Sequence, residues 1–132
     1  MIVWDASAIL AMLRGEPGGD AVAALLIENE ATICAHAANL CEVFYDQIRE
    51  YGEESALEVM AQLESLGIAT RTDFDAEFWQ QIGRLKVAFP LSFCDCVGLA
   101  LAKRLGADFY TSDRGEIEAV DNQGEIGIVF IR

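Results

Sequence analysis

Basic residues are scarce in this chain of 132 residues. It contains nine Lys and Arg against 22 Asp and Glu, which gives a formal net charge of −13. Proteins that bind nucleic acid through an open surface usually carry a basic patch, so the composition does not favour that class. A chain this acidic is better suited to hold cations or to bind a basic partner protein.

Histidine, lysine and long apolar runs are also scarce. His36 is the only histidine, and no obvious nucleophile lies near it, which argues against a Ser-His-Asp arrangement. Lys86 and Lys103 follow no glycine run, so a phosphate-binding P-loop is not indicated. No apolar segment approaches the length of a membrane span, and the first residues lack the basic region of a secretory signal. We therefore expect a cytoplasmic location and no membrane association.

The cysteines number four, at positions 34, 41, 94 and 96. In the reducing cytosol disulfides are uncommon, and a single histidine with a Cys-x-Cys spacing does not match a zinc site. We expect all four to be small buried hydrophobic residues.

Short β-branched segments alternate along the chain with longer segments of helical period. Strands are predicted at 2–4, 32–35, 68–70, 108–111 and 126–131, and helices at 8–13, 21–27, 38–51, 53–66, 75–89 and 95–105. This alternation predicts an α/β fold in which a central parallel sheet of about five strands is covered by helices on both faces. The length predicts one domain spanning residues 1–132.

Four carboxylates fall where such a sheet binds ligands. Asp5 follows the first predicted strand, Asp113 follows the fourth, Glu42 lies early in the helix after the second, and Asp95 begins the helix before the fourth. In parallel sheets, ligands bind outside the carboxyl ends of the strands. Each acid alone is compatible with an ordinary helix cap, turn residue or solvated position. Four converging like charges, however, require a cation or a bound proton.

A hard divalent cation suits carboxylate oxygens. Mg²⁺ and Mn²⁺ prefer oxygen ligands, whereas zinc prefers nitrogen or sulfur. The chemistry that matches such a site is hydrolysis of a phosphodiester bond.

The motifs around these acids resemble a known family. Residues 3–10 (VWDASAIL) and 13–18 (LRGEPG) look like the opening of a PIN-domain ribonuclease of the VapC toxin type. Residues 39–43 (NLCEV), 91–102 and 105–114 are similar to the second, third and fourth motifs of that family. The resemblance runs in the correct order and spacing from the first residue to the last predicted strand.

This resemblance implies a PIN-like three-layer fold and a metal-dependent endoribonuclease that acts as the toxin of a toxin–antitoxin pair. Its catalytic acids would be Asp5, Glu42, Asp95 and Asp113. Asp5 and Asp95 would hold Mg²⁺ most directly, Asp113 would complete the metal shell, and Glu42 would orient or deprotonate the attacking water, with Mn²⁺ able to substitute.

Residues around the acids also receive expected roles. Ser7 and Ser112 would fix the carboxylates by hydrogen bonds, and Glu116 would either assist or face solvent. We also expect four cationic residues as candidate phosphate contacts, namely Arg14, Arg84, Lys86 and Arg114.

The resemblance further implies an RNA substrate, a homodimer and a cognate antitoxin protein. Residues 21–27 and 56–63 carry more apolar surface than one internal helix face needs. We hypothesise a groove for an amphipathic antitoxin helix, whose tail carries an Arg or Lys that enters the acidic site.

Other functions remain open on the sequence alone. A catalytically silent PIN-like scaffold that acts through partner binding is one alternative, although no acid of the quartet is missing. A phospho-acceptor receiver-like domain is another, but it needs a lysine after the fifth strand, where this chain reads Phe130-Ile131-Arg132. A haloacid-type phosphatase would need Asp-x-Asp, where this chain reads Asp5-Ala6-Ser7.

Overall fold

The structure, a computed structural model that describes all 132 residues, contains one five-stranded sheet. The strand order is β3-β2-β1-β4-β5, and every neighbouring pair is parallel. The strands are β1 (Ile2–Trp4), β2 (Ile33–His36), β3 (Ala69–Arg71), β4 (Asp108–Thr111) and β5 (Ile128–Phe130). The predicted parallel sheet of about five strands is confirmed.

Seven helices connect and cover these strands. They are α1 (Ala6–Arg14), α2 (Gly19–Glu28), α3 (Ala37–Tyr51), α4 (Glu53–Ser65), α5 (Ala76–Ala88), α6 (Phe93–Leu105) and α7 (Arg114–Gln123). The six predicted helices are confirmed, with ends that differ from the predictions by at most two residues.

The seventh helix, α7, was not predicted. Of its ten residues only Ile117 and Val120 are buried, and Gly115 lowers the helix propensity of its first turn. A short polar segment of this kind depends on packing against the core rather than on its own propensity.

Alternation along the strands divides the core between the two faces of the sheet, because successive strand residues point to opposite sides. Val3 of β1 and Phe109 of β4 pack in a cluster with residues of α5, α6 and α7. Ile2 and Trp4 pack in a second cluster with residues of α1, α2, α3 and α4. Helices therefore cover both faces, as predicted.

The strand order reverses between β1 and β4. The chain passes from β1 to β2 and β3 on one side, and then returns to place β4 on the other side of β1. In open α/β sheets this switch point forms a crevice at the carboxyl ends of the strands. Asp5 follows β1 and Asp113 closely follows β4, so the topology alone brings these two residues to the crevice.

A glycine allows α6 to lie close to the sheet. A Cβ atom on Gly98 would lie 2.7 Å from the Phe109 ring and 3.1 Å from Oδ1 of Asn39. Since neither buried neighbour has room to move away, any larger residue would push α6 outward. Gly98 thereby sets the distance between the first turn of α6, which carries Asp95, and the ends of β1 and β4.

The cysteines are all free thiols, and their burial differs. Cys34 and Cys96 are buried, Cys94 is half-buried and Cys41 is exposed. The expectation of four buried cysteines is therefore wrong for Cys41, which lies on α3 away from the positions that face the core (Asn39, Val43 and Gln47). None of the helices combines the length and the apolar content needed to cross a bilayer.

Candidate functional site

Asp5 is the most deeply buried acid of the site, with 2% of its surface exposed. Its Oδ1 accepts hydrogen bonds from Ser7 Oγ at 2.7 Å and from the Ala8 backbone N–H at 2.9 Å, and its Oδ2 accepts one from Thr111 Oγ1 at 2.6 Å. Burial raises the pKa of Asp5 to about 6, against the lowering effect of these donors, and the negative charge of Glu42 adds to the increase. Asp5 therefore caps α1 and is also held in one orientation at the switch point.

Thr111, which the sequence analysis did not single out, links the two strand ends. Besides donating to Asp5, its Oγ1 accepts a hydrogen bond from the Asp113 backbone N–H at 3.0 Å and lies 3.2 Å from Ser7 Oγ. Ser112 contributes its backbone N–H, which donates to Ser7 Oγ at 2.9 Å. The signal for Thr111 in the sequence is a hydroxyl at the end of a strand, but threonine is also an ordinary strand residue.

Three carboxylates converge beside this network. Oxygens of Asp95, Asp113 and Glu116 all lie within 4.8 Å of one another. Cis and trans oxygen ligands of one Mg²⁺ are about 3–4 Å apart, given metal–oxygen distances of about 2.1 Å. The group can therefore hold a divalent cation after small side-chain rotations. Asp5 and Glu42 lie outside this group of three, whereas Glu116, from the unpredicted α7, lies within it.

Asp95 lies in the first turn of α6. The helix begins at Ser92, whose Oγ accepts a hydrogen bond from the Asp95 backbone N–H at 3.1 Å. Burial raises the pKa of Asp95 to about 6, and the charges of Asp5, Asp113 and Glu42 raise it further against the lowering effect of Ser92. Asp95 therefore lies close enough to Asp5, Glu42 and Asp113 for their negative charges to act on it.

Glu42 approaches the crevice from α3. Its side chain is half-buried, which raises its pKa, and it accepts a hydrogen bond from Tyr45 Oη at 3.4 Å. One turn earlier, the buried Asn39 donates from Nδ2 to the backbone carbonyl of Cys94 at 3.1 Å. Asn39 therefore joins the helix of Glu42 to the first turn of the helix of Asp95. Its signal in the sequence is a polar residue at a core-facing helix position.

No lysine or arginine pairs with any of these five acids. The predicted phosphate contacts are instead engaged with other partners. Arg14 forms ion pairs with Asp46 and Glu50. Lys86 donates a hydrogen bond to the Leu91 carbonyl at 2.6 Å, and Arg84 donates one to Gln81 at 3.5 Å. The Arg114 guanidinium lies over the Phe130 ring, 4.5 Å from its centroid. The negative charge of the site is left without a cation from the protein. An oxygen-only donor set of this kind matches a hard divalent cation.

Comparison with solved structures identifies the fold. The VapC20 toxin of Mycobacterium tuberculosis, described as cleaving the sarcin-ricin loop, is 20% identical, with 91% of this chain and 95% of that chain covered at a TM-score of 0.71. DNA-bound VapBC of Salmonella typhimurium is 17% identical over 99% and 98% of the two chains, with a TM-score of 0.77. VapBC2 of Rickettsia felis, bound to a promoter DNA fragment, is 15% identical over 98% of each chain, with a TM-score of 0.76.

Sequence comparison identifies the family. No curated protein sequence matches the chain, but the profile of the PIN domain matches residues 2–123. The resemblance noted in the motifs is thereby confirmed, and the chain belongs to the PIN domain family.

Proposed function

We propose that this protein is a Mg²⁺-dependent endoribonuclease that hydrolyses RNA phosphodiester bonds as the toxin of a toxin–antitoxin pair, with Mn²⁺ able to replace Mg²⁺. The observation that carries the proposal is the group of Asp95, Asp113 and Glu116, whose oxygens lie within 4.8 Å of one another beside the buried Asp5. Without a protein cation, these charges are best stabilised by a bound metal ion.

The acids divide the work of holding the metal ion. Asp95 and Asp113, which the sequence also predicts as metal ligands, would hold it together with Glu116. Asp5 is oriented at the crevice by hydrogen bonds from Ser7 and Thr111 and would add its negative charge to the site. When bound, the metal ion polarises the phosphoryl oxygen and lowers the pKa of a coordinated water.

Glu42 is the proposed base for the attacking water. A carboxylate with a raised pKa accepts a proton more readily near neutral pH, and burial raises the pKa of Glu42. The bond from Tyr45 and the packing of α3 against α6 keep the side chain at the edge of the crevice. Asp5, Glu42, Asp95 and Asp113 together are therefore the proposed catalytic set.

The direct test is cleavage of RNA by the purified protein. An RNA carrying the sarcin-ricin loop is one suitable probe, because the similar VapC20 is described as cleaving that loop, and total cellular RNA is a second. We expect cleavage with Mg²⁺ or Mn²⁺, none with EDTA, and at most about one-thousandth of the normal rate by Asp95→Asn. Equal cleavage by Asp95→Asn would place the chemistry elsewhere or assign it to a contaminant.

We also propose an antitoxin partner that docks on α2 and α4. Three of the similar structures are described as VapBC assemblies. Leu25 and Leu26 of α2 and Leu66 beyond α4 line a groove of about 270 Å³, and the next residue of α2, Ile27, is 85% exposed. The groove lies where β2 begins, at the edge of the sheet opposite the acids, so the antitoxin tail would have to cross the protein for its basic residue to reach the acids, while the apolar contacts set the lifetime of the complex.

Co-purification with the product of the neighbouring reading frame tests this partner. The double variant Asp5→Asn/Asp113→Asn should bind more weakly if a basic residue reaches the acids, and Ile27→Glu should bind more weakly if the antitoxin covers this end of α2. Undiminished binding by both would refute this docking mode. We further propose that residues 1–132 form one PIN domain that assembles as a homodimer, which light scattering would test.

A further inference from the structure

An exposed aromatic ring lies beside the proposed catalytic acids. Tyr45 follows Glu42 by three residues on α3, so both side chains lie on the same side of the helix. Tyr45 Oη is 3.4 Å from Oε1 of Glu42, and 40% of the Tyr45 surface is exposed. Other rings of this protein are also exposed, but Tyr45 is the one that donates a hydrogen bond to a proposed catalytic acid, and it therefore offers a contact surface at the site.

A free positive charge accompanies this ring. The guanidinium carbon of Arg49, four residues after Tyr45, lies 4.9 Å from the ring centroid. Four of the nine basic residues form ion pairs with carboxylates, namely Arg14, Arg71, Lys103 and Arg104, but Arg49 does not. Tyr45 and Arg49, called here the Tyr45–Arg49 platform, therefore present a partly exposed ring with the Arg49 guanidinium over one face, and an unpaired cation within two helical turns of Glu42.

We propose that the Tyr45–Arg49 platform stacks one unpaired RNA base next to the phosphodiester that is cut, while Arg49 contacts a neighbouring phosphate. This inference rests on the proposed nuclease function and adds the residues that position its substrate. Tyr45 is a binding residue in this role, and the acids remain the catalytic residues.

The charge of the protein favours stacking as the source of affinity. Most proteins gain nucleic-acid affinity by neutralising phosphates with many Lys and Arg residues, and a chain with net charge −13 has few to offer. Stacking on an aromatic ring requires no net charge and accepts any base. It requires an unpaired base, because bases within an RNA helix are already stacked.

The first experiment compares the kinetics of matched variants on a short unstructured RNA. Tyr45→Leu should raise KM about 10-fold, from the usual effect of one lost stacking contact, whereas Tyr45→Phe keeps the ring and should raise KM far less. Because both variants lack the hydroxyl bonded to Glu42, their difference reports the ring alone. Tyr51→Leu is the control, since Tyr51 is a 59% exposed tyrosine at the end of the same helix.

The second experiment removes the base instead of the ring. In an RNA with one abasic nucleotide beside the cleaved bond, Tyr45→Leu and the unaltered protein should have equal KM, because the stacking partner is absent in both. Arg49→Gln should raise KM for either RNA and make it less sensitive to salt. An equal KM for Tyr45→Leu and Tyr45→Phe, or an undiminished effect of Tyr45→Leu on the abasic RNA, would overturn the inference.

A binding measurement separates this inference from the proposed function. The fluorescence of an RNA with one 2-aminopurine is quenched when that base stacks, and it can be recorded in EDTA without cleavage. Quenching by the unaltered protein and by Tyr45→Phe, but not by Tyr45→Leu, supports the platform even if no RNA is cut. Equal quenching by all three variants counts against the platform even if RNA is cut.

Discussion

Two carboxylate clusters lie at the same edge of the sheet and differ in their counter-charges. Asp73 and Asp75 lie beyond β3 and are contacted by arginines, with Asp73 bonded to Arg71 at 2.9 Å and Asp75 bonded to Arg104 at 2.6 Å. These bonds hold the pKa of both carboxyls below the usual range. At the β1–β4 switch point the acids have no arginine, and burial raises the pKa of Asp5 to about 6.

At the carboxyl ends of β2 and β3, side chains of the protein itself fill the space beside the sheet. His36 accepts a hydrogen bond from the Ala38 N–H through Nδ1, and its Nε2 lies 2.8 Å from the carbonyl of Asp73. Its ring stacks on Phe78 at 5.5 Å, and Arg104 lies over that ring. The only histidine of the chain therefore caps α3 and packs against Phe78. At the switch point, by contrast, the negative charges have no partner in the protein, and an external cation can neutralise them.

The largest expected difference between the clusters is in catalysis. Asp95→Asn should lower RNA cleavage by roughly 10³-fold or more, because it removes a charge that holds the metal ion. Asp73→Asn makes the same chemical change at the other cluster and should leave the cleavage rate within about 2-fold, an effect below 0.5 kcal/mol. Initial cleavage rates on one RNA give both values. Comparable losses of rate in the two variants would show that catalysis does not depend on the switch-point acids alone.

Stability without metal should depend on pH in a direction set by Asp5. Its folded pKa is about 6 and its unfolded pKa is near the ordinary 4, so the folded state binds the proton more tightly. The free energy of unfolding should therefore fall as the pH rises from about 4 to about 6. Asp5→Asn cannot ionise, so its free energy of unfolding should be higher at pH 7 by up to about 3 kcal/mol. Urea titrations at pH 4 and pH 7 should show a gain only at pH 7, and an equal gain at both would refute the assignment.

Divalent metal should reverse this destabilisation. Mg²⁺ at about 100 times its dissociation constant should add about 2.7 kcal/mol to the free energy of unfolding, which is a rise of several degrees in Tm for a domain of this size. The double variant Asp113→Asn/Glu116→Gln should lose most of this rise. Asp73→Asn should keep it, and differential scanning calorimetry with Mg²⁺ or EDTA measures all three.

The smallest expected effect belongs to the arginine-paired cluster. Asp73→Asn should lower the free energy of unfolding by about 1.5 kcal/mol at pH 7, since it weakens charge-assisted bonds to Arg71 and Arg104. Because the pKa of Asp73 is lowered on folding, its contribution is present above the unfolded pKa and is lost as the pH falls below about 4. Denaturant titrations of Asp73→Asn and Asp5→Asn at pH 7 should thus change stability in opposite directions.

Three acids of the site could be predicted from local sequence patterns. Asp5 and Asp113 follow strands, and Ser92 and Asp95 form a helix start, so each acid sits at an element boundary that the sequence marks. Glu116 was harder to place, because α7 buries only two residues. Thr111 and Asn39 were missed because their partners, Asp5 and Cys94, are 106 and 55 residues away.

The sequence by itself determined the alternation of strands and helices, the parallel sheet with both faces covered, and the order of the four acids along the chain. These features depend on residue spacing and on local capping, which act within a few residues. Only the tertiary structure decided which acids meet, that Arg71 and Arg104 neutralise one cluster, and that no cation reaches the other. Electrostatic pairing depends on distance in space, and the crossover that places β4 beside β1 sets those distances.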